Sequence, residues 1–186
     1  MKYLIPFTAV LYILMSVSVA GPGNASTIIL EGNDGSKLYL TDDGKIQTEL
    51  FTREQDEQAY CLAENIYFEA RSDSLAGQAA VADVVINRVH DDRYPNTICE
   101  VVHDGYRKGR RDCQFSWYCD GKSDVPLNQD LWLEAQTIAW GIVKWDKYRG
   151  ITEGATHYHA TYVNPQWASQ LQMVGRIGAH IFYRWE

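Results

Sequence analysis

The run Tyr60-Cys61-Leu62-Ala63-Glu64-Asn65-Ile66-Tyr67-Phe68-Glu69-Ala70-Arg71 decides how this chain is read. Ala59, Leu62, Ala63, Ile66 and Ala70 recur at helical spacing and define one buried stripe. Thr52 and Gln55 match a capping box upstream, so a helix is expected from Thr52 to about Arg71. On its wheel the two inner carboxylates separate. Glu64 falls opposite Leu62 and Ile66, on a face expected to be solvated. Glu69 lies three residues beyond Ile66 and seven beyond Leu62, on the rim of the apolar stripe. A carboxyl on that rim loses hydration, which favours its neutral form and raises its pKa. A general acid working near neutral pH needs that property. Asn65, one turn earlier on the same rim, is a candidate to hydrogen-bond substrate or carboxyl. From the wheel alone, a glutamate paired with a neighbouring arginine such as Arg71 or Arg88 is the commoner explanation.

Outward from this helix, a second one is expected from about Ser74 to Val89. It is apolar on most sides and rich in small residues (Gly77, Ala79, Ala80, Ala82), so it should be central and closely packed. Tyr94-Pro95-Asn96 ends that unit, and a loop region containing two cysteines runs to about Asn128. A third helix, about Asp130 to Tyr148, carries Leu131, Ala135, Ile138, Ala139 and Ile142 on one side. Beyond Gly150 the character turns to β: His157 to Val163, then Met173-Val174 and Ile181-Phe182-Tyr183 around glycines. Helices first and strands later predict an α+β domain, with a helical body and a small sheet forming one wall of a cleft.

The first 25 residues read as a signal peptide. Lys2 starts it, Leu4 to Val19 is almost entirely apolar, and Ser18-Val19-Ala20 or Gly23-Asn24-Ala25 offers the cleavage site. The alternative is a short retained anchor, since the run is about the minimum that spans a bilayer, roughly 17 residues. Cleavage is the preferred reading, with no membrane span afterwards and a monomer working in the periplasm or outside the cell. Residues 26–51 alternate short β-type runs with the turn signals Gly32-Asn33-Asp34-Gly35 and Asp42-Asp43-Gly44, as a β-hairpin or linker arm would. The catalytic domain is expected to cover 52–186. Neither an internal repeat nor a low-complexity tract occurs, so no separate repeat domain is expected in these residues. Apolar residues make up 46% of the chain, enough for a core and against intrinsic disorder. A formal charge of −7 argues against nucleic acid, which needs a basic face. Cys61, Cys99, Cys113 and Cys119 form an even set in the exported part, where disulfides persist. No C-x-x-C pair supports zinc. Three pairings are possible; Cys113–Cys119 closing a small loop and Cys61–Cys99 tying two elements is the favoured one.

The run Tyr60 to Arg71 strongly resembles the SleB/CwlJ family, cell-wall hydrolases named for spore cortex-lytic enzymes. The resemblance continues through Gly77-Gln78-Ala79-Ala80-Val81-Ala82, Val85-Ile86-Asn87-Arg88-Val89, Tyr94-Pro95, Cys99-Glu100-Val101-Val102 and Cys113-Gln114-Phe115-Ser116-Trp117. It ends with Gly154-Ala155-Thr156-His157-Tyr158-His159, Pro165-Gln166-Trp167 and Ile177 to Tyr183. It covers about Tyr60 to Tyr183, with several independent motifs in the family's order. It implies a lysozyme-related fold and cleavage of peptidoglycan glycan strands, with Glu69 matching the catalytic acid. Two departures stand out. The family often reads Glu-Ala-Arg-Gly-Glu where this chain has Ser72-Asp73 after Arg71, and Ala179 stands where an asparagine is common.

Glycosidic cleavage usually uses two carboxylates. No second one is as clearly marked here; Asp83, Asp120, Asp124 and Glu153 are possible, and Asp83 can equally be the polar edge of a packed helix. Lytic transglycosylases avoid the need. In them the muramic acid's C6 hydroxyl attacks the anomeric carbon, and one residue serves as acid and then base. The missing partner fits this route, which the resemblance also implies; a hydrolytic muramidase is the alternative. Gln114, Phe115, Ser116 and Trp117 put amide, hydroxyl and aromatic groups on a disulfide-braced loop, suited to sugar rings. His157 and His159 alternate on a strand and point the same way, as candidate substrate contacts. With His180 and Glu69 they could make a metal site for a wall amidase or peptidase. Histidines on strands are more often structural, so neither metal nor other cofactor is expected. Tyr158 and Tyr162 should face oppositely, toward the core. A third reading is a non-catalytic glycan-binding protein, with Glu69 merely ion-paired.

Overall fold

The computed structural model describes residues 28–31, 37–40, 46–48, 53–106 and 113–186. The expected signal peptide and the capping residue Thr52 lie outside the described residues. The chain divides into two units, 1–52 and 53–186. In the first, β1 (Ile28–Glu31), β2 (Lys37–Leu40) and β3 (Ile46–Thr48) form an antiparallel sheet in the order β1-β2-β3. Ile28 lies opposite Leu40, and Leu38 opposite Thr48. The turn signals read at 32–35 and 42–44 lie between these strands and outside the described residues.

The second unit begins with α1 (Arg53–Ala70) and α2 (Leu75–Val89). Ser74 breaks between them with an extended backbone, and its hydroxyl accepts the Gly77 N–H at 3.2 Å, capping α2. A short helix that sequence periodicity could not reveal follows, α3 (Ile98–Val102). It is held by a local device: Thr97 Oγ1 accepts the Glu100 N–H at 3.2 Å and donates to the Glu100 carboxylate at 2.8 Å. The cysteine loop contains a 3-10 turn, Ser116–Cys119. Then α4 (Gln129–Trp145) starts at Asn128, whose side chain accepts the Leu131 N–H. It ends earlier than the expected Tyr148, because Asp146 adopts a left-handed conformation and sends its N–H back to Ile142.

The last third forms β4 (His157–Ala160), β5 (Gln172–Ile177) and β6 (His180–Arg184), antiparallel in the order β4-β6-β5. The expected strand to Val163 stops at Ala160, where the Val163 N–H turns back to the Ala160 carbonyl. Tyr162 is consequently 88% exposed and not turned to the core as its alternation predicted.

α1 is the central element. Leu62, Ala63 and Ile66 are fully buried against α4, α2 and α3, and Cys61–Cys99 bonds α1 covalently to α3. Cys113–Cys119 closes the small loop, so both favoured disulfides are present. The sheet joins α2 through a second cluster, Ala80, Val84, Ala155 and Phe182. One side of α2 is polar, and it anchors the segment that leads into the sheet. Asp83, fully buried, pairs with Arg149 and accepts from the Gly150 N–H, the Thr152 N–H and the Thr152 hydroxyl. Asn87 donates to Thr152 and to the Ala155 carbonyl at 2.8 Å, and Arg88 Nε donates to the Thr156 carbonyl at 2.8 Å. These bonds satisfy backbone groups that the loop would otherwise bury unpaired. No helix among the described residues is long and apolar enough to cross a membrane.

Candidate active site

Glu69 sits in the last turn of α1, part-buried, where that helix meets β4. Burial pushes its carboxyl above the usual range; a hydrogen bond from Tyr158 and the charge of Arg88 pull the other way and only partly offset it. The Tyr158 hydroxyl donates to Glu69 Oε2 at 3.2 Å. Burial, with Glu69 next, pushes the Tyr158 phenol up, so it keeps its proton and acts as a donor. The result is a carboxyl whose neutral form is favoured by burial relative to an exposed glutamate, and which is fixed through one of its two oxygens.

Arg88 underlies this pair from α2. It is buried, and its guanidinium lies over the rings of Tyr94 and Phe115 at 5.4 and 5.3 Å. With its amide oxygen turned inward, Gln114 accepts from both terminal nitrogens of Arg88 at 3.2 Å. Arg71 turns away: it lies over the Tyr67 ring and donates to the Tyr67 carbonyl. The arginine expected to neutralise Glu69 as a simple ion pair is thus engaged elsewhere in one case and shared among several partners in the other.

The expected sugar-binding residues divide into three groups. Gln114 and Ser116 are exposed on the disulfide loop. Phe115 and Trp117 are core residues, not open platforms. Phe115 is covered by Arg88, and Trp117 stacks on Phe68 at 4.7 Å. Asn65, expected on the rim, has no exposed surface; its Oδ1 accepts the Trp117 indole N–H at 3.3 Å, bracing the loop against α1.

His157 and His159 do share one face of β4, but it is the face away from Glu69. His159 stacks on Tyr183 and its Nε2 meets the Tyr183 hydroxyl at 3.0 Å; both histidines contact Trp167. The alternation of the strand sends Tyr158 the other way, onto His180, Phe182 and Glu69. His157, His159, His180 and Glu69 therefore do not converge on one point. Sequence reasoning assigned Tyr158 to the core and missed its polar end. The signal was available, since a buried tyrosine hydroxyl requires a partner and Glu69 was the rim acid nearest the sheet.

Glu64 is a correction. It is half-buried, not solvated: Glu57 and Tyr60 are exposed on the same side of α1, but that side is partly covered at Glu64, where His103 approaches. Its pKa is raised to about 7 by burial and then by Asp124, and His103 Nε2 lies 3.9 Å from it. Cys61, Glu64 and His103 lie close together, but the Cys61 sulfur is spent in its disulfide and offers no thiolate to a metal. Of the other carboxylates considered, Asp83 is committed to Arg149 and its loop. Asp120 contacts Lys122 at 3.2 Å, and Glu153 stands exposed on a left-handed turn.

Residues 72–183 match the sequence profile described as Cell Wall Hydrolase. The chain belongs to this cell wall hydrolase family. Its curated relatives include the spore cortex-lytic enzyme of Bacillus subtilis (strain 168), 26% identical over 121 residues, which are 65% of this chain and 35% of that protein. The spore cortex-lytic enzyme of Bacillus cereus is 27% identical over 122 residues, 65% of this chain and 42% of that one. The chain thus spans well under half the length of the curated relatives it matches. Among solved structures, the catalytic domain of the Bacillus cereus SleB protein superimposes with a TM-score of 0.51 at 25% identity, covering 69% of this chain and 91% of that one. The catalytic domain of the germination-specific lytic transglycosylase SleB from Bacillus anthracis gives 0.50 at 25% identity, covering 72% and 97%. The second unit is accordingly a lysozyme-like α+β domain of the cell wall hydrolase family.

Proposed function

We propose that this cell wall hydrolase cleaves the glycan strands of peptidoglycan between N-acetylmuramic acid and N-acetylglucosamine, as a lytic transglycosylase with Glu69 as its acid and base. The observation that carries the reading is the Glu69–Tyr158 pair: a carboxyl whose pKa burial raises and which a donor orients through one oxygen. Tyr158 occupies Oε2, which leaves Oε1 to give its proton to the glycosidic oxygen. The C6 hydroxyl of the muramic acid then attacks the anomeric carbon, and its proton returns to the ionised Glu69. A 1,6-anhydro ring forms, no water is consumed, and Glu69 ends as it began. The relative from Bacillus anthracis that carries the transglycosylase description supports this route.

A hydrolase would need a second carboxylate, about 5 Å from the first for retention or about 6.5–9.5 Å for inversion. The commitments of Asp83 make it unfit for that task. Gln114 and Ser116, exposed on the loop whose Gln114 amide meets Arg88, are proposed as sugar contacts; Asn65, Phe115 and Trp117 hold that loop in shape. His157 and His159, on the opposite face of β4, are not assigned to the cleavage site. The protein is proposed to act outside the cytoplasm on peptidoglycan, after removal of residues 1–25. Mass spectrometry of digested sacculi tests the reaction type. Fragments ending in 1,6-anhydromuramic acid are expected; reducing muramic ends would make it a muramidase, and intact glycan with cut stem peptides would remove the assignment.

A further inference from the structure

Asp73 lies four residues after Glu69, and its N–H donates to the Ala70 carbonyl at 2.8 Å, closing the last turn of α1. It is therefore carried on the same rigid end of the helix as Glu69. One carboxylate oxygen accepts the Ser74 N–H at 2.7 Å; the other accepts the Ala179 N–H at 2.8 Å, from the turn between β5 and β6. His180 Nδ1 is 3.6 Å from the same oxygen. Support for α2 does not explain this arrangement, because Ser74 already caps that helix.

Space has been kept for this carboxylate from two directions. A Cβ at Gly77, in the first turn of α2, would lie 2.3 Å from it, and a Cβ at Gly178 would lie 2.2 Å from it. Gly178 also has a φ of +57°, a conformation that suits glycine. Next along the chain, His180 packs edge-on against Tyr158 with ring centroids 5.1 Å apart, and Tyr158 returns to Glu69 at 3.2 Å. The contacts form a closed circuit: Glu69, the end of α1, Asp73, the β5–β6 turn, His180, Tyr158 and back to Glu69.

We propose that Asp73 is a positioning residue that pins the end of α1 to the β5–β6 turn and so holds the Tyr158 hydroxyl against the Glu69 carboxyl. This rests on Glu69 being the acid. A charged acceptor on backbone N–H groups makes a strong, directional bond. Losing it frees the sheet to shift relative to α1, and a displacement of about 1 Å costs a catalytic group up to ~100-fold in rate.

The test is kcat and KM against pH on purified peptidoglycan for wild type, Asp73→Ala, Asp73→Asn, Tyr158→Phe and the Asp73→Ala/Tyr158→Phe double variant, with thermal unfolding beside them. The groups that face Glu69 are Tyr158 from β4 and Arg88 from α2. Asp73→Ala should lower kcat about 10- to 100-fold with KM within roughly twofold. Its alkaline limb should move upward, because the carboxyl loses the bond that holds its pKa down. Tyr158→Phe should move the limb the same way, and the double variant should be no worse than Tyr158→Phe alone. Asp73→Asn, which keeps the volume and one acceptor, should fall between wild type and Asp73→Ala; if Asp73→Ala does not fold, this variant carries the test. A lower Tm with wild-type kcat and limb, or losses that multiply in the double variant, would overturn the proposal. An active Glu69→Gln enzyme would instead remove the reading beneath it, whatever Asp73 does.

Discussion

Glu64→Gln should stabilise the protein at alkaline pH and do almost nothing in acid. The unfolded chain titrates Glu64 near 4.5, whereas burial and Asp124 move it to about 7 in the fold. Between those values the native protein holds a proton that the unfolded chain has released. Stability therefore falls as pH rises from about 4.5 to about 7, and the cost is complete above that. For a fully buried group such a shift would correspond to roughly 3 kcal/mol. Glu64 is only half-buried, so solvent screening leaves on the order of 1 kcal/mol. His103 does not rescue the carboxylate, because burial lowers its pKa and leaves it neutral at pH 8. Glutamine matches the protonated acid in shape. The variant should gain on the order of 1 kcal/mol at pH 8, roughly 3 °C in Tm, and stay level with wild type at pH 4. Urea or thermal unfolding of both proteins at the two pH values measures this. An equal shift at both, or a loss at pH 8, would refute the argument that burial governs this carboxyl.

Three further outcomes follow from the packing. Trp117→Phe should cost about 1–3 kcal/mol in urea unfolding, because Asn65 Oδ1 is left buried without its donor. Asp83→Ala should cost about 3 kcal/mol or more by the same measurement, since it strands Arg149 together with the Gly150 and Thr152 N–H groups. Replacing Cys61 and Cys99 by alanine opens a loop of 38 residues and should cost about 4 kcal/mol on the chain-entropy account, read as a lower Tm at unchanged kcat.

α1 and α4 were legible because each carries an apolar period of three and four, and α2 because its run is apolar on most sides and rich in small residues; the caps at Ser74 and Asn128 are local signals. The two disulfides were legible from an even cysteine set. α3 was missed because five residues are too few to show a period, and its capping pair was not read. The wheel put Glu69 on the rim correctly but misjudged Glu64 and Asn65. It assumes one buried side, and α1 is packed by α2, α3 and α4. Tyr158 and Arg88 join Glu69 only through contacts between residues distant in sequence, which periodicity does not encode. The two departures from the family's pattern, Asp73 and Ala179, proved to touch each other through a backbone N–H, so the alanine side chain plays no part in the bond.

The central claim is that Glu69 supplies the proton that breaks the glycosidic bond, and the direct measurement is turnover of purified peptidoglycan by Glu69→Gln. Glutamine keeps the volume and can still meet the Tyr158 hydroxyl, but it has no acidic proton to give. The variant should fold with a Tm equal to or slightly above that of wild type, since a buried ionisable group has been removed. Its turnover should fall by at least ~10²–10⁴-fold, the usual worth of general acid help, and further if the one residue acts twice. A folded Glu69→Gln enzyme that releases glycan fragments at the wild-type rate would contradict the account.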